Sequence, residues 1–391
     1  MEVTIQIFCG TFRNKSLSFE FVEQKLLSIL SKMPITKVLM GWSLDKSLYE
    51  KTAKFLAERK IDFYLWFPVF SETGDLKDLS HLMDFHGQRL KCKKGTEFSF
   101  FCPNTLNVKK ILSIFEREFA SIKFDGIFLD RMRYPSFGNN YGFDGVFSCF
   151  CPKCQTVYKR ENFNIEKLKI ALDISHSASL ALTGYQGNGN YLFRDPVVSD
   201  FFRVKADIIF KKMQQICMFF RQRNYGIGFD VFAPFMSPFV GQNLEKLSCL
   251  CDFIKPMMYR VTNAPAGMPF ETESLFKQTG YSNAEKQNFY KLLGINASDS
   301  EVSAGSGKSP FELDFAVKEL ENMTKVSACP IYAGVEINRV KNIAETDPGY
   351  IEETIRAYAH TGIGGFALSW NLLEMPEENI NKAADIINIY T

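Results

Sequence analysis

Short runs of apolar, β-branched and aromatic residues alternate along this chain with longer stretches whose apolar positions recur every three or four residues. The short runs are VTIQIFCGTF from Val3, KVLMGW from Lys37, DFYLWFPVF from Asp62, DGIFLD from Asp125, YGIGFDVF from Tyr225, DFIKPMMY from Asp252, PIYAGVEI from Pro330 and GIGGFALSW from Gly362. Their length and residue types predict β-strands. Between them, FVEQKLLSILSKM, NVKKILSIFEREFASI, FFRVKADIIFKKMQQICMFFRQR and YIEETIRAYAHT carry the spacing of amphipathic helices. Strand and helix in alternation predict parallel βα units, and eight such units close a barrel. The expected fold class is α/β, a (β/α)8 TIM barrel formed by residues 1–391 as one domain.

Two connections exceed simple βα loops: residues 135–200 after the fourth run and 260–310 after the sixth. Both leave the carboxyl end of a strand, the face on which barrels build their sites, so each is expected to roof the site. A doubly wound open sheet is the structural rival, but no GxGxxG turn follows the first run. GSGKS at Gly305 lacks the earlier glycine and the preceding strand of a phosphate loop and reads as a plain loop. No organic cofactor is expected.

Composition narrows the partners. The chain is 46% hydrophobic with 38 Phe, enough for a large core, and 46 basic against 44 acidic residues leave a net charge of +2. No field of that size recruits nucleic acid or an anionic membrane surface. MEVTIQIFCGTF has no basic-then-apolar leader, and no stretch reaches about eighteen apolar residues. A cytoplasmic protein is therefore expected, its ten cysteines serving as free thiols or metal ligands rather than disulfides.

Side chains along a barrel strand alternate between the interior and the helix layer, so an acid at a strand end reaches the mouth only if its parity is right. Asp130 shares parity with Phe128, Asp230 with Gly228 and Glu336 with Gly334, whereas Asp125 lies at the opposite end of its strand. A glycine below Asp230 and Glu336 is expected to leave room for a ligand. Glycoside hydrolysis needs one carboxylic acid and one carboxylate, and these three acids compete for the two roles. The competing reading of each is an ion pair or strand-end cap, with Arg131, Arg133, Arg260 and Arg339 as partners. All three tryptophans, Trp42, Trp66 and Trp370, fall near strand ends, as do Tyr134 and Tyr259. Such rings pack against the C–H faces of sugars, and core packing is the alternative.

Cys149, Cys151 and Cys154 form a CxCxxC in the first insertion, and Cys102 lies in FCPN ahead of the preceding helix. Four thiolates can close a tetrahedral structural zinc site that leaves no position for water, so its expected role is to pin the insertion. Three unrelated thiols are the alternative. The four histidines, His81, His86, His176 and His360, lie away from strand ends and offer little to a catalytic metal.

These residues resemble known families. FDGIFLDRMRYPS resembles the fourth-strand segment of barrel glycoside hydrolases in which sequences of the type DGIxLDxxRYP recur. Cys102 with CFCPKCQ is similar to the zinc cluster of family 42 β-galactosidases, and IKPMMY and GGFALSW look like strands six and eight of chitinase-like family 18 barrels. The resemblance runs over roughly residues 100–150, with weaker echoes later. Family 42 places Glu after Asn at strand four and Glu at strand seven; the matching positions here hold Asp130 and Glu336. The resemblance implies the hydrolase class and the zinc, not the sugar. The expectation is a glycoside hydrolase with Asp130 and Glu336 as working pair and Asp230 as orienting or substitute acid. Trp42, Trp66, Arg131, Arg133, Tyr134, Tyr259, Arg260 and Trp370 are the expected substrate contacts, with a non-catalytic carbohydrate-binding barrel as the alternative. Oligomeric state is left open.

Overall fold

The computed structural model describes residues 1–9, 17–41, 43, 45–71, 80–90, 99–298 and 310–391. Eight parallel strands make the central sheet: β1 (Glu2–Phe8), β2 (Lys37–Gly41), β3 (Asp62–Pro68), β4 (Gly126–Asp130), β5 (Gly226–Phe232), β6 (Phe253–Met257), β7 (Tyr332–Glu336) and β8 (Gly365–Ser369). Each pairs with its sequence neighbour, and β1 pairs with β8. The ring closes between β6 and β7 through the parallel bridge of Ile254 with Ile331, where the Ile254 amide donates to the Pro330 carbonyl at 3.0 Å. This is the (β/α)8 barrel that the strand–helix alternation predicts. Outer helices include Phe19–Leu30, Asn107–Ile114, Pro196–Arg221 and Pro348–Ala359. Each buries the apolar stripe of its sequence against the barrel.

Inside the barrel, Leu39, Tyr64, Trp66, Phe128, Phe253, Tyr332 and Ala367 form one packed cluster. The parity argument therefore holds, because Phe128, Asp130, Gly228 and Asp230 all sit on inward positions. The glycines serve a different purpose from the one expected. A Cβ on Gly228 would fall 2.2 Å from Phe253 Cζ, and one on Gly334 would fall 2.8 Å from the Pro256 carbonyl oxygen and 3.0 Å from Lys255 Cε. The missing side chains make room for neighbouring protein atoms on β6, not for a ligand.

At the amino-terminal face, Asp125 accepts the Phe63 amide at 2.8 Å, and Asp252 accepts the Ile227 amide at 2.8 Å while pairing with Arg221. These acids tie strand starts together, as the position of Asp125 predicts. The stretch after β4 holds several short helices and the antiparallel hairpin of Leu182–Tyr185 with Tyr191–Phe193. The stretch after β6 holds helices Met268–Thr279 and Asn283–Leu293. GSGKS lies outside the described residues. No helix among the described residues is long and apolar enough to cross a membrane.

Candidate active site

A cavity of about 500 Å³ opens at the carboxyl ends of the strands. Its aromatic wall comes from Phe8, Trp66, Tyr259, Phe270 and Trp370, and its polar groups include Gln6, Asp130, Arg131, Arg133, Asn139 and Asp230. Asn338 fixes Trp370, because its Oδ1 accepts the amides of both Trp370 and Asn371. Aromatic faces beside a few convergent polar groups are the usual make-up of a small-ligand pocket.

Two aspartates meet in this cavity because of strand register. Leu129 on β4 pairs with Phe229 on β5, so Asp130 and Asp230 occupy the next position of two adjacent strands and both point inward. Their surroundings differ. Asp130 Oδ2 accepts the Trp66 indole N–H at 3.0 Å, and its Oδ1 accepts the Arg131 amide. Asp230 is 3% exposed and contacts the buried Lys255, whose Nζ lies 3.0 Å from Oδ1 and 3.3 Å from Oδ2. Burial pushes the Asp230 carboxyl up to about 7, with the Asp130 charge adding to the rise and Lys255 opposing it. Two like carboxyls in unlike settings are how one site holds an acid beside a base.

The structure does not bring Glu336 into this site. The side chain is 1% exposed, and its carboxylate accepts the amides of Arg260 (2.8 Å), Val261 (3.2 Å) and Thr262 (2.8 Å), the Thr262 hydroxyl (2.6 Å) and the Tyr350 hydroxyl. The backbone donors anchor the chain leaving β6, so the strand-end cap describes Glu336, and the acid that shares the cavity with Asp130 is Asp230. Arg260 also lies outside the cavity lining; its guanidinium donates to Glu353 (3.0 Å) and Thr354 (2.9 Å). Tyr134 is buried away from the cavity with the Lys205 ammonium 4.4 Å above its ring. Trp42 lies outside the described residues.

Arg133 is walled in between the rings of Phe100 and Phe232, 4.9 and 4.4 Å away, and donates to Asn139 Oδ1 at 2.8 Å and to the Tyr134 carbonyl at 3.0 Å. Burial lowers its pKa to about 10. Arg131 adopts a left-handed backbone (φ 51°) and donates to Ser71 at 3.2 Å. Glu271, a buried acid that sequence reasoning missed, accepts the Ser136 hydroxyl (2.8 Å) and the amides of Gly138 (3.0 Å) and Ala266 (2.9 Å). It ties together the loops after β4 and β6, so Glu271→Gln is expected to raise KM several-fold with a smaller change in kcat, checked by steady-state kinetics.

Cys102, Cys149, Cys151 and Cys154 converge, all buried, with sulfurs within 4.8 Å of one another. Cys102 lies 3.6 Å from Cys151 and 3.4 Å from Cys154. A tetrahedral zinc with Zn–S near 2.3 Å sets its sulfurs roughly 3.8 Å apart, so the four ligands fit such an ion. The Met83 amide and the Asn104 side-chain amide point at Cys149 and Cys154, at 3.3 and 3.4 Å, as donors to thiolates do.

Gln6, Lys255 and Phe270 were also missed. For the first two a signal existed: a polar or charged residue at inward parity in an otherwise apolar strand, QIF in β1 and FIKPM in β6. Phe270 lies in the second insertion, where no parity applies.

No protein-family model matches the chain, and no curated protein matches its sequence. Solved structures do match it in fold. The glycoside hydrolase domain of PgaB (BpsB) from Bordetella bronchiseptica aligns over 100% of this chain and 98% of its own, with 10% identity and a TM-score of 0.59. A class V chitinase from Pseudomonas fluorescens Pf-5 aligns over 98% and 99%, with 9% identity and a TM-score of 0.46. The spore cortex-lytic enzyme SleL from Bacillus megaterium QM B1551 aligns over 98% and 73%, with 8% identity and a TM-score of 0.44. The chain is thus a TIM barrel that shares its fold with the glycoside hydrolase domain of PgaB.

Proposed function

We propose that this barrel is a glycoside hydrolase acting on an oligosaccharide or glycoconjugate, with Asp230 as acid and Asp130 as nucleophile or base. The observation that carries the reading is the pair of inward aspartates on adjacent strands, in unlike environments, within a cavity walled by aromatic rings. Asp230 passes its proton to the glycosidic oxygen as the C1–O bond breaks. Asp130 then either bonds C1, to be displaced by water, or takes a proton from the water that does so. Arg131, Arg133 and Tyr259 line the cavity as hydrogen-bonding groups, and Trp66 and Trp370 supply faces for sugar rings. Trp42 keeps the role that the sequence suggests.

The test is release of reducing ends from a panel of oligosaccharides and aryl glycosides, with calorimetry on the same sugars. Hydrolysis abolished by Asp130→Asn supports the reading. Sugar binding without hydrolysis across the panel overturns it in favour of a carbohydrate-binding barrel. Because the acid acts in its protonated form, kcat/KM is expected to hold below about pH 7 and fall above it as Asp230 loses its proton. A pH–rate profile checks this.

The four-cysteine cluster is read as a structural zinc site that pins the loop after β4 to the segment around Cys102. Elemental analysis is expected to give one zinc per chain. Cys149→Ser with Cys151→Ser is expected to lose the metal and lower the unfolding temperature. A metal-free protein of unchanged stability would rule the site out.

A further inference from the structure

Lys255 is fully buried in the middle of β6, among residues that are otherwise apolar. It is the register partner of Asp230 on β5, and its ammonium contacts both oxygens of that carboxyl while donating to the Tyr259 hydroxyl at 2.6 Å. Gly334 on β7 makes this placement possible, because any side chain there would press on the lysine stem. Burying an ammonium costs several kcal/mol unless it is well paired, so three strands are arranged around a charge that packing alone would exclude.

A purely structural ion pair would sit away from the cavity. This pair ends in the cavity wall, and the groups facing Asp230 pull in opposite directions. Asp130 faces it from β4, Gln6 from β1, Lys255 from β6, and Tyr259 and the Arg133 guanidinium lie beyond. Gln6 is held by the Ser369 hydroxyl, which donates to its Oε1 at 2.9 Å. Among these, Lys255 is the cation within hydrogen-bond reach of the Asp230 oxygens.

We propose that Lys255 is the positioning residue of this site: its ammonium aims the Asp230 carboxyl at the cavity and stabilises the carboxylate left behind when that group gives up its proton. Tyr259 is the second acceptor, holding the ammonium in place while Asp230 is protonated. The role rests on Asp230 being the acid. It places a fixed positive charge where negative charge develops during bond cleavage, the form of electrostatic assistance that needs no reorganisation.

The test compares Lys255→Met and Lys255→Gln with the native chain by isotope-edited infrared titration of aspartate carboxyls, the Asp230 band being assigned by its loss in Asp230→Asn. Removing the cation is expected to raise the proton affinity of Asp230 at least tenfold, about one pH unit. The alkaline limb of kcat/KM is expected to move up by the same amount, while kcat falls about tenfold or more. Lys255→Gln keeps a polar group in the space and serves where the Met variant does not fold. A folded variant whose Asp230 band titrates as in the native chain overturns the proposal, even if the protein is a hydrolase. A shifted band in a protein that cleaves no glycoside supports the Lys255–Asp230 link and sinks the hydrolase reading instead.

Discussion

Asp230→Asn is expected to lower kcat by about 10²–10⁴-fold on any glycoside whose leaving group needs a proton, because an amide has none to give at this position. The loss should shrink on aryl glycosides with good leaving groups, which depart without protonation. Asp130→Asn is expected to cost at least as much on every substrate, since its carboxylate bonds or activates whatever attacks C1. The amide also changes the hydrogen bonds that Asp130 accepts from the Trp66 indole and the Arg131 amide. Sugar affinity, measured by calorimetry, is expected to stay within a few-fold of native in both variants. Turnover of activated and unactivated substrates by Asp230→Asn checks the assignment; equal losses on both would reverse the two roles. Full turnover by either variant would remove that residue from the chemistry.

Glu336→Gln is expected to do the opposite, leaving the reaction and weakening the fold. Burial raises the pKa of this carboxyl, while the donors around it, from Arg260, Val261, Thr262 and Tyr350, oppose the rise. An amide accepts at one atom only and turns its N–H2 toward groups that are themselves donors. Leaving such a cluster unmatched in the interior costs on the order of 2–4 kcal/mol. Urea unfolding reads the loss directly, and kcat at temperatures well below unfolding is expected to change less than about three-fold. A variant of native stability with turnover lost would return Glu336 to the reaction.

The contrast between these acids shows how far residue pattern reaches. Parity along a strand tells which side chains enter the barrel, and it places Asp130, Asp230 and Glu336 on the inward face. It cannot tell what the neighbouring strand and the following loop bring to each. Glu336 meets a run of backbone amides from the chain leaving β6, whereas Asp230 meets a lysine at the same register. The glycines teach the same lesson, since Gly228 and Gly334 are filled from β6 by Phe253 and by Lys255 and Pro256.

The sequence by itself determined the eight strands, their order around a closed parallel barrel, the inward parity of the acids and the identity of the four cysteines. Each follows from local periodicity or from spacing along the chain. Only the tertiary structure decided that Asp130 shares the cavity with Asp230 rather than Glu336, that Lys255 lies against Asp230 and Glu271 ties the loops after β4 and β6, and that Arg260 and Tyr134 lie outside the cavity lining. Those outcomes depend on register between strands and on where long insertions fold back, contacts between residues far apart in the chain that no local pattern encodes.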